Sequence, residues 1–142
     1  MNILESSCGD TKVKLSLSWW LLLVLLSVFL MIVVGGLTRL TDSGLSMVTW
    51  KPFTGWLPPL NQSEWLEIFK LYQKTPEFLE KNIGMTLDSF KNIFWLEYLH
   101  RLWGRIIGLM FIIPLIFFWI VGWLNPRLKI HCLFLLCLGA IQ

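Results

Sequence analysis

Residues 15–38 read LSLSWWLLLVLLSVFLMIVVGGLT, and this stretch decides the fold. It lies between Lys14 and Arg39 and holds 24 residues without a charge. Crossing the hydrocarbon of a bilayer takes about 20 apolar residues at a helical rise. A second run, IIGLMFIIPLIFFWIVGWLNP at 106–126, holds 21 residues between Arg105 and Arg127. A third, from Ile130 to Gln142, has 13 residues and is too short to cross. The expected fold is therefore an all-α integral membrane protein with two full spans and the start of a third. The first run is longer than the apolar core of a signal peptide, about 7–15 residues. Its end, Val34-Gly35-Gly36-Leu37-Thr38-Arg39, is also a poor cleavage site.

Composition agrees. The chain is 56% hydrophobic and 15% charged, against about a quarter charged in a soluble domain. The net charge of +3 says little, but the positions of the bases say more. Lys12 and Lys14 precede the first span, and Arg127 and Lys129 follow the second. The stretch between mixes six bases, Arg39 to Lys91, with six acids, Asp42 to Asp88. Bases in short loops face the cytoplasm, so the N-terminus is expected inside and the 38–86 loop outside. There is no basic stripe for nucleic acid. Cys8, Cys132 and Cys137 lack metal-type spacing, and the last two are expected in the third helix as small apolar residues.

The expected organisation is a polar leader over 1–15, a first span over 16–37 and an outward loop over 38–86. A long helix over 87–124, an inward turn over 125–129 and a third helix from 130 to 142 follow. Gly35-Gly36 is expected to close the first helix, and the proline- and tryptophan-rich 50–60 segment to lie at lipid headgroups. Within the loop, Asn61 with Glu64 reads as a capping box, with Trp65, Phe69 and Tyr72 on one face. Thr75-Pro76 reads as a cap with Pro at the first helical position. Both short helices are expected to be interfacial. Thr86 caps the long helix, and Pro114 is placed to kink it.

The chemistry lies in 97–108. Glu97, His100, Arg101, Gly104, Arg105 and Gly108 fall at offsets 0, 3, 4, 7, 8 and 11, one stripe of a helix. Charges at membrane depth are usually paired or line a functional cavity. Imidazole is an axial ligand for haem iron. Glycines one turn apart admit a flat macrocycle, and arginines bind propionates. A carboxylate one turn from the ligand could move protons. Alternatives stand beside this: a Glu97–Arg101 salt bridge, a Gly104-x-x-x-Gly108 packing face, or half of a di-iron carboxylate site. Arg39 could hold a propionate or snorkel. His131, next to Lys129, reads as structural.

At these residues the chain resembles a known family. Gly35-Gly36-Leu37-Thr38-Arg39-Leu40-Thr41-Asp42-Ser43-Gly44-Leu45-Ser46 is similar to the loop signature of haem A synthases of the proteobacterial and mitochondrial branch. Glu97-x-x-His100-Arg101-x-x-Gly104-Arg105 resembles their helix motif. The resemblance covers about residues 19–142 and lacks the loop cysteine pair of another branch.

The resemblance implies a truncated helical bundle, two full spans and the start of a third out of eight. The implied activity is oxidation of the C8 methyl of haem O to a formyl group, with water as oxygen source, to make haem A for cytochrome oxidase. It implies His100 as an axial iron ligand on the substrate side and Glu97 as the catalytic carboxylate. Arg39, Arg101, Gly104, Arg105 and Gly108 are expected at the porphyrin on physical grounds. A haem b cofactor is expected in the C-terminal half, beyond this chain. Expected partners are haem O, membrane lipid, haem O synthase and cytochrome oxidase assembly factors. A homo-oligomer or a separately encoded C-terminal half is a further partner expectation. The expected location is a bacterial inner membrane, ahead of a mitochondrial one. Two rival readings remain: a haem-b electron-transfer subunit, and an inactive remnant of a split gene.

Overall fold

The computed structural model describes residues 3–48 and 56–141, with side chains from Thr11 onward. Its five helices are α1 (Ile3–Leu40), α2 (Gln62–Tyr72), α3 (Pro76–Lys81), α4 (Leu87–Ile120) and α5 (Pro126–Ile141). No strand occurs among the described residues. The chain divides into two compact units, residues 31–104 and residues 1–30 with 105–142, and α1 and α4 contribute to both. The 50–55 part of the loop expected at the headgroups lies outside the described residues.

α1 and α4 are long and apolar enough to cross a membrane. At 1.5 Å per residue, the 34 residues of α4 reach about 51 Å. Their apolar side chains are bare: Phe29 is 65% exposed, Ile32 67% and Ile113 62%. A water-soluble surface does not carry so large a contiguous apolar area. Lipid is the solvent these helices fit, and the protein is a helical membrane protein.

The first helix is longer than its apolar run. Ser16, where the first span is expected to begin, and Ser18 donate back to the carbonyls of Lys12 and Lys14 at 3.0 and 2.9 Å. Hydroxyls bonded one turn back sit inside a helix and do not cap it. Gly35-Gly36 does not close α1 either. The stop comes at Asp42, which has φ +48°. Ser43 N–H donates to Thr38 C=O at 3.0 Å, and Asp42 N–H to Arg39 C=O at 3.4 Å. That is the Schellman pattern, with an aspartate where glycine is usual. α4 ends the same way at Gly122, φ +77°, with Trp123 N–H on Phe118 C=O at 3.0 Å. The Trp123 ring stacks on Phe118 at 5.5 Å, so α4 ends at Ile120 instead of 124. The turn expected at 125–129 is correspondingly earlier. Asn125 Oδ1 accepts Leu128 N–H at 2.7 Å, and Pro126 opens α5. This is a cap followed by Pro at the first helical position.

In the unit 1–30 with 105–142, α1, α4 and α5 meet around Trp20, Phe111, Leu115, Phe118, Leu124 and Cys132. Cys132 is 1% exposed, while Cys137 is exposed. Pro114 lacks the N–H that would bond the carbonyl of Met110 one turn earlier. Trp20 supplies the donor: its Nε1–H reaches Met110 C=O at 3.0 Å. A freed carbonyl in a membrane helix needs such a partner.

In the unit 31–104, the loop helices pack on the first turns of α4. Trp65 and Tyr72 from α2 meet Phe90, Phe94 and Tyr98, which lie one turn apart along α4. Caps act as the spacing predicts: Glu64 N–H donates to Asn61 Oδ1 at 2.9 Å, and Phe78 N–H to Thr75 Oγ1 at 3.4 Å. Ser89 N–H donates to Thr86 Oγ1 at 3.3 Å. Tyr98 is buried and donates to the Trp56 carbonyl at 2.6 Å.

Candidate haem-facing site

Two sequence segments build the site within residues 31–104. α4 supplies Glu97, His100, Arg101 and Gly104. The end of α1 and the turn after it supply Gly35, Arg39, Ser46 and Met47.

Glu97 is 3% exposed. Its Oε2 accepts Ser46 Oγ–H at 2.6 Å and Met47 N–H at 2.8 Å. Its Oε1 accepts the guanidinium of Arg101, one turn further along α4. A carboxylate offers about four lone-pair positions. Among the described residues, both on Oε2 are taken and one on Oε1 stays open. A charge this buried persists only when paired and hydrogen-bonded. The Schellman turn at Asp42 brings the 43–48 segment back toward α4, and Ser43 and Ser46 are fully buried there. Ser43 Oγ–H also bonds Thr38 C=O at 3.1 Å, which braces the turn.

His100 is half-buried. A Cβ built on Gly35 would lie 3.1 Å from its Nε2. The bare backbone of α1 therefore makes room for the imidazole nitrogen, and any larger residue would displace it. Next to Gly35, a Cβ on Gly36 would meet nothing within 4 Å. Gly36 faces open space on the exposed side of α1.

The remaining candidates divide. Arg101 pairs with Glu97 through Nη2, with its side chain 26% exposed. A guanidinium has five N–H donors, so this pair does not use them up. Gly104 is not an open groove: the Cε of Met31 would be 3.2 Å from a Cβ there. It is the flexible end of a side chain that fills the notch. Arg39 lies exposed in the last turn of α1. Arg105 and Gly108 belong to the other unit, both half-buried, and a Cβ on Gly108 would meet nothing within 4 Å. His131 is exposed in α5, its Nδ1 2.6 Å from the Arg127 carbonyl. Among the described residues no three of His, Cys, Asp and Glu converge on a metal position, so the di-iron reading finds no further ligands.

Sequence reasoning missed Ser46 and Met47 as partners of Glu97. Ser46 lay in the loop signature but read as a turn residue. The contact spans 51 positions, and no periodicity connects a loop hydroxyl to a helix carboxylate.

Comparison with known proteins decides the family. The model of a cytochrome oxidase assembly protein family matches residues 18–142. The chain belongs to that family. Among curated members, the haem A synthase of Rhizobium johnstonii is 47% identical over 140 residues, 99% of this chain and 38% of that protein. That of Sinorhizobium fredii is 50% identical over 87% of this chain and 34% of its own. The haem A synthase of Maricaulis maris is 51% identical over 94% of this chain and 39% of its own. The chain thus spans under two fifths of the length of these relatives. No solved structure matches it significantly.

Proposed function

We propose that this chain forms the substrate-side wall of a haem A synthase, which oxidises the C8 methyl of haem O to a formyl group. The observation that supports this best is the His100–Gly35 notch beside a buried, fully positioned Glu97. Imidazole Nε2 is a ligand for haem iron, and here the ring packs against α1 where Gly35 has no side chain to displace it. His100 would hold the iron of haem O. Glu97, one turn earlier, has a lone pair on Oε1 left open among the described residues, with which to accept a proton as the methyl is oxidised. Arg101 holds that carboxylate, and Arg39 stays exposed to reach a propionate. A haem b in the remainder of the protein would supply the redox chemistry, with water as the oxygen source.

Lys12 and Lys14 before the first span, and Arg127 and Lys129 at the start of α5, support a cytoplasmic N-terminus. The 38–86 segment would then face outward from a bacterial inner membrane.

The test is haem A formation by the complete enzyme carrying this chain, followed by extraction and chromatography of its haems. His100→Ala should abolish haem A. Glu97→Gln should leave haem binding in place and stop the methyl oxidation. Unchanged haem A in His100→Ala would sink the ligand assignment. Loss of haem binding in Glu97→Gln would make that residue structural instead.

A further inference from the structure

We propose that Ser46 is a positioning residue that selects which oxygen of Glu97 acts on the substrate. This rests on the reading of Glu97 as the catalytic carboxylate. A carboxylate on a flexible side chain presents two equivalent oxygens and can rotate between them. Here the two are made different. Oε2 accepts from Ser46 Oγ at 2.6 Å and from Met47 N–H at 2.8 Å, which fills both of its lone pairs. Among the described residues, Oε1 has only Arg101 as a donor, which leaves one of its lone pairs open. Ser46 has a single proton to give. Its distance to the Ile93 carbonyl is 3.4 Å, so the carboxylate takes that proton.

The serine is held for this purpose from both sides. It is fully buried. It also follows the turn closed by Ser43 on Thr38, so α1 and the loop fix its place relative to α4. Met47 contributes through its backbone and cannot be removed by changing a side chain. Arg101 pairs with the oxygen that stays open. Ser46 is therefore the side chain whose loss leaves Oε2 with one donor, the Met47 N–H, and erases the difference between the two oxygens. The outward loop, in this view, sets the geometry of the chemistry on α4.

The experiment compares Ser46→Ala, Ser46→Thr and Glu97→Gln in the complete enzyme, with haem O as the added substrate. It reads turnover and KM for haem O, and records the infrared carboxylate band that disappears in Glu97→Gln. Ser46→Ala should shift that band and lower turnover by roughly tenfold to a hundredfold, as misplacing a catalytic group does, with KM unchanged. Ser46→Thr, which keeps the hydroxyl, should restore both. Ser46→Ala with unaltered turnover beside an inactive Glu97→Gln overturns the proposal and leaves the enzyme assignment standing. An unshifted band in Ser46→Ala, or a turnover loss that Ser46→Thr fails to restore, also overturns it. Full turnover in Glu97→Gln overturns the assignment of the carboxylate itself, and this proposal with it.

Discussion

The hydroxyl of Ser46 stands 2.6 Å from Oε2 of Glu97, across 51 positions of sequence. It ties the turn after the first span to the helix face that carries His100. The loop signature and the helix motif are thus two halves of one structural element, a buried carboxylate with three donors. Removing one donor should weaken the fold as well as the chemistry.

Ser46→Ala should destabilise the protein by about 1.5–3 kcal/mol, the range for a hydrogen bond to a charged group. In a Glu97→Gln background the same change should cost less, because the two residues act on each other. Thermal unfolding of the four proteins in detergent gives the coupling. Additive effects would mean that the contact contributes nothing to stability.

Trp20 and Pro114 should be coupled through the Met110 carbonyl. Trp20→Phe keeps the aromatic packing against Phe111 and Phe118 but leaves that carbonyl without its donor. The cost should be about 1–3 kcal/mol. Pro114→Ala returns a backbone N–H to the carbonyl one turn back, so Trp20→Phe should cost measurably less in that variant. Unfolding of the single and double variants checks it.

Gly35→Ala should disturb the imidazole of His100, since its Cβ would lie 3.1 Å from Nε2. Haem affinity, read from a Soret titration, should fall. Gly36→Ala is the control, with nothing within 4 Å of its Cβ, and should leave His100 in place. Equal affinities in the two variants would count against the notch.

Glu77 in α3 predicts a pH dependence. Burial pushes its carboxyl above the ordinary value, partly offset by Lys81. Its Oε2 is buried without a hydrogen-bond partner among the described residues. A carboxyl whose folded pKa is raised holds its proton better when folded. Its contribution is complete below the unfolded pKa and is lost as pH rises through the folded one. Glu77→Gln should therefore raise the melting temperature at neutral pH and leave it unchanged below the carboxyl range. A melting temperature that falls at neutral pH would show that the charge is stabilised there.

Much of this was legible along single helices. Charge-free length marked α1 and α4, and local spacing marked the caps at Asn61, Thr75 and Thr86. The 97–108 stripe placed Glu97 beside Arg101, since residues four apart meet on a helix. What stayed hidden depended on where chain direction reverses. The Asp42 stop was masked because aspartate seldom takes positive φ, while Gly35-Gly36 looked like the obvious end. The Asn125-Pro126 start of α5 carried the same signal as Thr75-Pro76, but the charge-free run beginning at Ile130 drew the boundary too late. Ser46 and Met31 entered the site by tertiary approach, which no periodicity encodes. The filling of Gly104 by Met31 followed from the same cause.

On the proposed reading, the His100 face of α4 receives a haem. The direct measurement is an optical titration of this chain, in detergent or nanodiscs, with ferrous and ferric haem, against His100→Ala. The unaltered chain should give a six- or five-coordinate histidine-type Soret and α-band spectrum, lost in His100→Ala while the helical content stays the same. An identical haem spectrum and affinity in His100→Ala would contradict it.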